Sequence, residues 1–428
     1  MKSGLYLPIS SLPDKFGCGS LGYEAESFIK FLSVAKQSYW DIGTITYLSS
    51  FAIDSLLVDL DYFVEKGLLC QQDLVCEKKN CLDIDHAREI KLKLFSKAYV
   101  NYFAQPNIAS YHDFCDLNKE WLDDYALFCA VKLLTNKSWL DWDDDIKFAT
   151  EQGKIKYNKL CEEEIEYYKF EQYILREQFV QVFNKATQAN IKLIGQISQS
   201  VPLESADVWA NQNIFLLGSD KLPKYKVDLA KTKCENTIYP AYNYKALANS
   251  TYLSQKLDYA KQLFDIIKVN DLSMTLKVVA IDIKRPKIKK IITNRRFSID
   301  KLLIGLKNQI IVEAQNIGKT YKKMLTHLAI PTANTFKKDI ISPRNSYANC
   351  VCYLEVDKSL DDLTHINEVK TQIEDLFASS WDEIIINMQD LSCLDGVINK
   401  NDNYMAQAKE QSSLQAQRIA DLTAKYNR

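Results

Sequence analysis

The stretch FDIIKVNDLSM, residues 264–274, is a short apolar run of Phe264, Ile266, Ile267 and Val269 that stops abruptly at Asn270, Asp271 and Ser273. It reads as a buried β-strand. Working outward, runs of the same kind recur in IKLIGQIS (191–198), LKVVAIDI (276–283), QIIVEA (309–314), NCVCYLEV (349–356) and EIIINM (383–388). Helix-like segments such as TYLSQKLDYAKQLF and TYKKMLTHL lie between them. Continuous apolar strands alternating with helices predict a parallel sheet covered by helices. In barrel enzymes the strand C-termini face the substrate, so an Asn at the end of this strand bears directly on chemistry.

Nearer the N-terminus, Ala25, Phe28, Ile29, Phe31, Leu32 and Ala35 recur at helical spacing ahead of the strand-like SYWDIGTI. SLLVDLDYFVEKGLL then gives a buried run and a short helix closed by Gly67. Residues 71–190 are Lys/Glu-rich and nearly free of strand signals, which predicts a helical insertion. The expected organisation is a barrel start at 1–70, the helical insertion at 71–190, the rest of the barrel at 191–405 and a C-terminal helix at 406–428. Lys and Arg total 54 against 55 Asp and Glu, so charge gives no argument for nucleic acid or an anionic membrane as partner. Eleven scattered Cys without CxxC pairs fit reduced thiols. With no apolar run near the roughly 18 residues that span a bilayer, and no signal-peptide core, the expectation is a soluble cytoplasmic protein.

Several motifs stand in a fixed order: SGLYLPISSLPDKFGCGSLG with AKQSYW, then WLDDYALFCAVK, EIEYYKFEQYILREQF, SADVWANQNIF, LFDIIKV, PRNS and QDL. Together, from residue 3 to about 391, they resemble the 4-α-glucanotransferases called amylomaltases or disproportionating enzymes. The resemblance implies a (β/α)8 TIM barrel with a helical insertion subdomain, transfer of α-1,4-glucan segments between maltooligosaccharides, and no cofactor.

The departures from the family pattern carry the functional reading. After Trp40 only DIGTITYL precedes SSFAIDS, where the family has a longer glycine-rich loop. GQISQSVPLESADVWA puts Gln196 where the family has an acid, and ENTIYPAY (235–242) replaces a segment with an aromatic and Gly-Asn. FDIIKVND sits on the family's FD.VRIDHFRG, so the resemblance aligns Asn270 with the nucleophile, Lys268 with the Arg and Asp271 with the His. Retaining glycosyl transfer needs one carboxylate to attack and another, roughly 5 Å away, to act as acid/base. An amide does not attack effectively. Asp271 is one residue further, and strand alternation turns it to the opposite face unless a bulge intervenes.

QIIVEAQNIG resembles the family's IIAEDLG and places Glu313 on the acid/base. Position leaves two readings open, a working acid/base or a carboxylate kept in an ion pair. The family's third acid has no counterpart: Tyr353 and Leu354 align with its His-Asp pair, leaving Glu355 or Asp357 as distant substitutes. Trp209 is the Trp best placed to stack on a sugar ring, although Trp at element boundaries is more often packing. KRPKIKKIITNRR (284–296) reads as a solvated hairpin rather than a phosphate-binding patch. His86, His112, His327 and His365 share no ligand spacing, so no metal is expected.

Two functions follow. One is an amylomaltase-family α-glucan protein whose transferase activity is lost or severely impaired at Asn270. The alternative is an active 4-α-glucanotransferase with Glu313 as acid/base and Asp271 as relocated nucleophile. In both, the partner is a maltooligosaccharide or α-glucan, with Lys268, Trp209 and Gln196 as candidate substrate contacts.

Overall fold

The computed structural model describes residues 2–76, 82–105, 109–227, 237–293, 303, 306, 309–313, 332–336, 350–354, 362–379, 381, 383–391 and 413–428. Eight parallel strands close into a barrel: β1 (Lys2–Tyr6), β2 (Tyr39–Gly43), β3 (Lys192–Ser198), β5 (Ile266–Asn270), β8 (Ile310–Glu313), β9 (Thr332–Phe336), β10 (Cys350–Leu354) and β11 (Glu383–Asn387). The order around the barrel follows the chain, with β11 returning to pair with β1. The remaining strands, β4 (Tyr225–Val227), β6 (Lys277–Asp282) and β7 (Lys289–Thr293), form a separate antiparallel sheet.

The (β/α)8 expectation therefore holds, with two corrections. LKVVAIDI is not a barrel strand: it is β6, paired antiparallel with β7 in a hairpin in which Lys287, Lys289 and Lys290 are exposed. The place in the barrel is taken by β9, whose sequence TANTF has no apolar run to announce it.

Period-two alternation of the strands sorts their side chains into an inner and an outer set. Tyr39, Ile194, Ile266, Ile311, Val351 and Ile385 meet on the barrel axis as one buried layer. The alternate residues, among them Trp40, Leu193, Ile267, Val312, Cys352 and Ile384, point outward and join the larger core under the helices. Gly4 on β1 belongs to the inner layer and has no side chain for a physical reason. A Cβ there would fall against Cβ and the carbonyl oxygen of Tyr39 and against Cδ1 of Ile385. The axis is already full, as close-packed barrel layers are.

The first helix, Tyr23–Val34, buries Ala25, Phe28, Ile29, Phe31 and Leu32 on one face and carries Glu24 and Glu26 in its first turn, where the helix dipole favours acids. Between β2 and β3 the described chain is helical, with long helices at Ile84–Phe103, Ala109–Thr135 and Glu162–Gln188. The last is clamped to the barrel side by two buried amides. Gln172 accepts from Ile53 N at 2.8 Å and donates to Ile53 O at 3.0 Å, and Gln178 does the same to Asp59 at 2.9 and 3.0 Å. Each amide completes a backbone residue that no strand or helix satisfies. The C-terminal helix Ser413–Lys425 packs on the first helix, and Thr423 Oγ1 accepts a hydrogen bond from Gln37 Nε2 at 3.1 Å.

Gly4→Ala is expected to destabilise the fold by ~1–3 kcal/mol through overpacking, read as a lower urea midpoint with unchanged slope.

Candidate functional site

Two residues beyond the apolar layer, the inward positions turn polar. These are Tyr6 on β1, Asp41 on β2, Gln196 on β3, Lys268 on β5 and Tyr353 on β10. They converge on one carboxylate. Asp41 has no exposed surface and accepts from Gln196 Nε2 at 3.0 and 3.1 Å on its two oxygens. It also accepts from Tyr353 OH at 2.9 Å and from Gly43 N at 3.0 Å, while Lys268 Nζ stands 3.9 Å from Oδ2. Lys268 Nζ lies 3.6 Å from the centre of the Tyr353 ring, a cation–π contact inside the barrel. Burial, then the Asp41 charge, pushes the Tyr353 hydroxyl well above its usual range and the Tyr6 hydroxyl up to about 12. Both phenols are thereby held as hydroxyls.

Local backbone makes this possible. The β2–β3 register shifts between Asp41 and Gly43, and Gly43 adopts φ +71°, a left-handed conformation that glycine takes without penalty. That turn brings its N–H back onto the Asp41 carboxylate.

Asn270 is the last residue of β5, so it lies at the C-terminal face. Its Nδ2 donates to Gln196 Oε1 at 3.2 Å, and its buried Oδ1 has no partner among the described residues. Asn270 is thus the outer end of a relay, Asn270 to Gln196 to Asp41. Glu313 is likewise the last residue of its strand, following the Val269–Val312 pair; its side chain lies outside the described residues, as do Glu355 and Asp357.

Asp271 departs from simple alternation. The backbone turns left-handed there, at φ 53° and ψ 34°, and the carboxylate swings toward the end of β3. Its Oδ2 accepts from Ser198 at 2.8 Å and Ser200 at 2.7 Å.

Beyond these serines a cavity of about 460 Å³ opens between the segments that follow β2 and β3. Thr46, Ser49, Ser200, Tyr239 and Lys256 are among its walls. Lys256 donates to Ser198 O and is buried. Burial pushes its ammonium down to about 8, against the opposing pull of Asp207 and Asp271.

Trp209 is corrected by its surroundings. It has no exposed surface, donates Nε1 to Ile146 O at 2.8 Å, and packs against Phe128 and Trp142. It is a core residue of the helical layer, not a sugar platform. Sequence reasoning missed Asp41, although a lone acid in the apolar strand YWDIG, two residues after inward Tyr39, is a readable sign of a buried polar centre.

A family model described as 4-alpha-glucanotransferase (Glyco_hydro_77) matches residues 7–272, more than half of the sequence. The chain belongs to the 4-alpha-glucanotransferase family. The match takes in Asp41, Gln196, Lys268, Asn270 and Asp271 and stops short of Glu313 and Tyr353. The 4-alpha-glucanotransferase of Clostridium butyricum is 34% identical over 287 residues, 61% of this chain and 58% of that protein. That of Synechocystis sp. is 33% identical over 234 residues, covering 50% and 46%. The chain thus spans about half to three-fifths of the length of these curated relatives. Amylomaltase from Streptococcus agalactiae, solved in complex with acarbose, shares the fold with a TM-score of 0.87 at 20% identity, covering 100% of this chain and 99% of that one.

Two measurements check the site of this family member. Asp41→Ala leaves Gln196, Tyr353 and Lys268 without their common acceptor and is expected to cost ~3–5 kcal/mol in urea unfolding. Lys256 releases its proton near pH 8 when folded and near 10.5 when unfolded. The unfolded state therefore binds more protons between these values, and stability due to this group rises with pH across that window. Lys256→Met removes the rise, so the difference between wild-type and variant urea midpoints changes between pH ~7.5 and ~9.5 in favour of wild type.

Proposed function

We propose that this chain is an α-glucan-binding member of the 4-alpha-glucanotransferase family whose transferase chemistry is lost or severely impaired. The observation that carries the reading is the hydrogen bond from Asn270 to Gln196 and onward to Asp41. An amide stands where the resemblance puts the attacking carboxylate, and it is bound into a network that fills the barrel end.

The neighbouring carboxylates do not supply a replacement. Asp41 is saturated by donors and sits beneath the surface, and Asp271 is held by two serine hydroxyls at the end of β3. Covalent glycosyl transfer needs a carboxylate free to approach the anomeric carbon in line, opposite an acid/base. Glu313 fits the acid/base position by alignment, but one carboxylate alone does not complete the pair.

Binding is better supported than turnover. The cavity beside β3 is lined by Thr46, Ser49, Ser200 and Tyr239, hydroxyls suited to a maltooligosaccharide. Lys268 and Gln196, proposed from sequence as substrate contacts, instead serve the Asp41 network, so their role in this reading is to shape the floor of the site. Trp209 has none.

Purified protein given maltotriose is expected to release glucose at least ~10³-fold more slowly than a transferase with its nucleophile in place. Asn270→Asp alone is expected not to restore turnover, because groups that act as a unit are not recovered singly. Saturable binding of maltotriose by titration calorimetry is expected to persist. Brisk glucose release by the unmodified protein, abolished by Glu313→Gln, would overturn the reading in favour of an active enzyme with Asp271 as nucleophile.

A further inference from the structure

The cavity of about 460 Å³ beside β3 holds an amine that glucan binding leaves unused. Lys256 stands on its wall, carried by the helix Tyr252–Lys261 and only 3% exposed. A buried lysine ordinarily pairs with a carboxylate. Two carboxylates act on this one, Asp207 on the helix Ala206–Ala210 and Asp271 just beyond β5, yet neither forms an ion pair with it among the described residues.

Both acids are turned to other donors. Asp207 accepts from Ser49 Oγ at 2.7 Å, Ser50 N at 2.9 Å and Tyr252 OH at 2.9 Å. Asp271 is taken by the Ser198 and Ser200 hydroxyls. Lys256 is left with the Ser198 carbonyl oxygen as acceptor and with the Tyr252 ring, whose centre lies 5.9 Å from Nζ. The other lysine of the cavity, Lys132, is held by Glu204 at 2.8 Å and stays an ammonium.

These surroundings favour the amine of Lys256 over its ammonium. Removal from water without an ion pair disfavours the charged form, and the neutral nitrogen keeps a lone pair. Burial lowers its value to about 8, against the opposing pull of Asp207 and Asp271. A desolvated lysine on the wall of a ligand-sized space is the arrangement by which proteins bind carbonyl groups covalently. Thr46, Ser49, Ser200 and Tyr239 surround it with hydroxyls, which fit a carbonyl compound that carries hydroxyls of its own.

We propose that Lys256 binds the aldehyde of an open-chain sugar as an imine, with the hydroxyls of the cavity wall holding those of the sugar. The amine lone pair adds to the carbonyl carbon and gives a carbinolamine. Both amine hydrogens then leave with the former carbonyl oxygen as water, and C=N replaces C=O. The step is redox-neutral and consumes no co-reactant. It shares the cavity with the maltooligosaccharide reading without depending on it, since a free short sugar and the reducing end of an oligosaccharide present the same aldehyde.

The test is reductive trapping on the full chain: brief exposure to glyceraldehyde with cyanoborohydride at pH ~7.5, then mapping of the modified lysines by mass spectrometry. Lys256 is expected to react at least ~10-fold faster than the median surface lysine, because far more of it is unprotonated at that pH. Its rate is expected to level off above pH ~8.5, where surface lysines continue to gain up to pH ~10. Propionaldehyde, which lacks hydroxyls, is expected to lose the preference for Lys256. Lys256→Arg keeps a cation on the Ser198 carbonyl and is expected to abolish the fast adduct; if it does not fold, the wild-type map decides. A parallel sample with maltotriose separates the two sources. An adduct of its mass on Lys256 assigns an oligosaccharide end, and a glyceraldehyde adduct alone assigns a free short sugar. Lys256 reacting no faster than surface lysines, a pH profile identical to theirs, or equal preference with propionaldehyde overturns the proposal. Reversible maltotriose binding by calorimetry needs no imine, so failure of the glucan reading shows separately.

Discussion

The Asp41 carboxylate is the constraint around which the C-terminal half of the barrel is arranged. A charge with no exposed surface must be compensated on the spot, since moving an unpaired ion out of water costs far more than a typical domain's net stability. Compensation here comes from three other positions on the barrel wall: the Gln196 amide on β3, Lys268 on β5 and the Tyr353 hydroxyl on β10. The fourth contribution is the Gly43 amide, available because the strand end turns left-handed. One buried acid thus ties β2 to three strands that the chain reaches at widely separated points, giving a sequence-distant cross-link as well as local hydrogen bonding.

That arrangement also changes what the barrel end can do. Nucleophilic catalysis wants a carboxylate whose charge is available to an electrophile, while structural burial wants one whose lone pairs are all engaged. Asp41 is of the second kind. Asn270 extends the network outward by one amide, so the end of β5 is part of the same hydrogen-bonded network. Lys268, aligned with a family arginine, is drawn inward over the Tyr353 ring rather than out toward a ligand. Tyr353, in its turn, stands where the alignment puts a histidine. These four side chains are mutually dependent, so restoring one family residue among them would strand its neighbours.

The parts of the molecule that could be read from sequence are those in which one physical signal dominates. IKLIGQIS, FDIIKVN and QIIVEA are apolar runs ending in polar residues, and each is a barrel strand with its polar end at the mouth. TANTF gave no such signal, because its residues are small or polar; its strand is specified by pairing with β8 and β10, a tertiary fact. LKVVAIDI gave the same signal as a barrel strand because period and hydrophobicity do not distinguish parallel from hairpin pairing. The Asn at the end of β5 was legible as an amide at the C-terminal face of a strand. Asp41 was not sought, since sequence shows a lone acid in a strand but not the three partners that reach it. Asp271 needed backbone information, because a left-handed residue breaks the alternation on which the facing argument rested.

The two most buried acids among the described residues show how differently the fold treats the same group. Asp41 receives four hydrogen bonds and a nearby cation, whereas Glu171 receives two long hydrogen bonds, both on one oxygen. The difference lies in their settings. Asp41 stands on a barrel wall, where alternation aims several neighbouring strands at a common axis and donors converge without further design. Glu171 stands on a helix facing two others, where each neighbour offers a stripe of side chains and the nearest donors are a phenol and an amide already shared with Tyr125 and Ile53. Charge compensation here is partial: Arg88 opposes the shift of both Glu171 and Asp54, while Lys132 is paired with Glu204. Protonation lightens the cost at 171: burial and then the charge of Asp54 push the Glu171 carboxyl up to about 8, against the opposing pull of Gln172, Tyr125 and Arg88, so the fold keeps as a neutral acid on a helix the group it keeps fully hydrogen-bonded on the barrel wall.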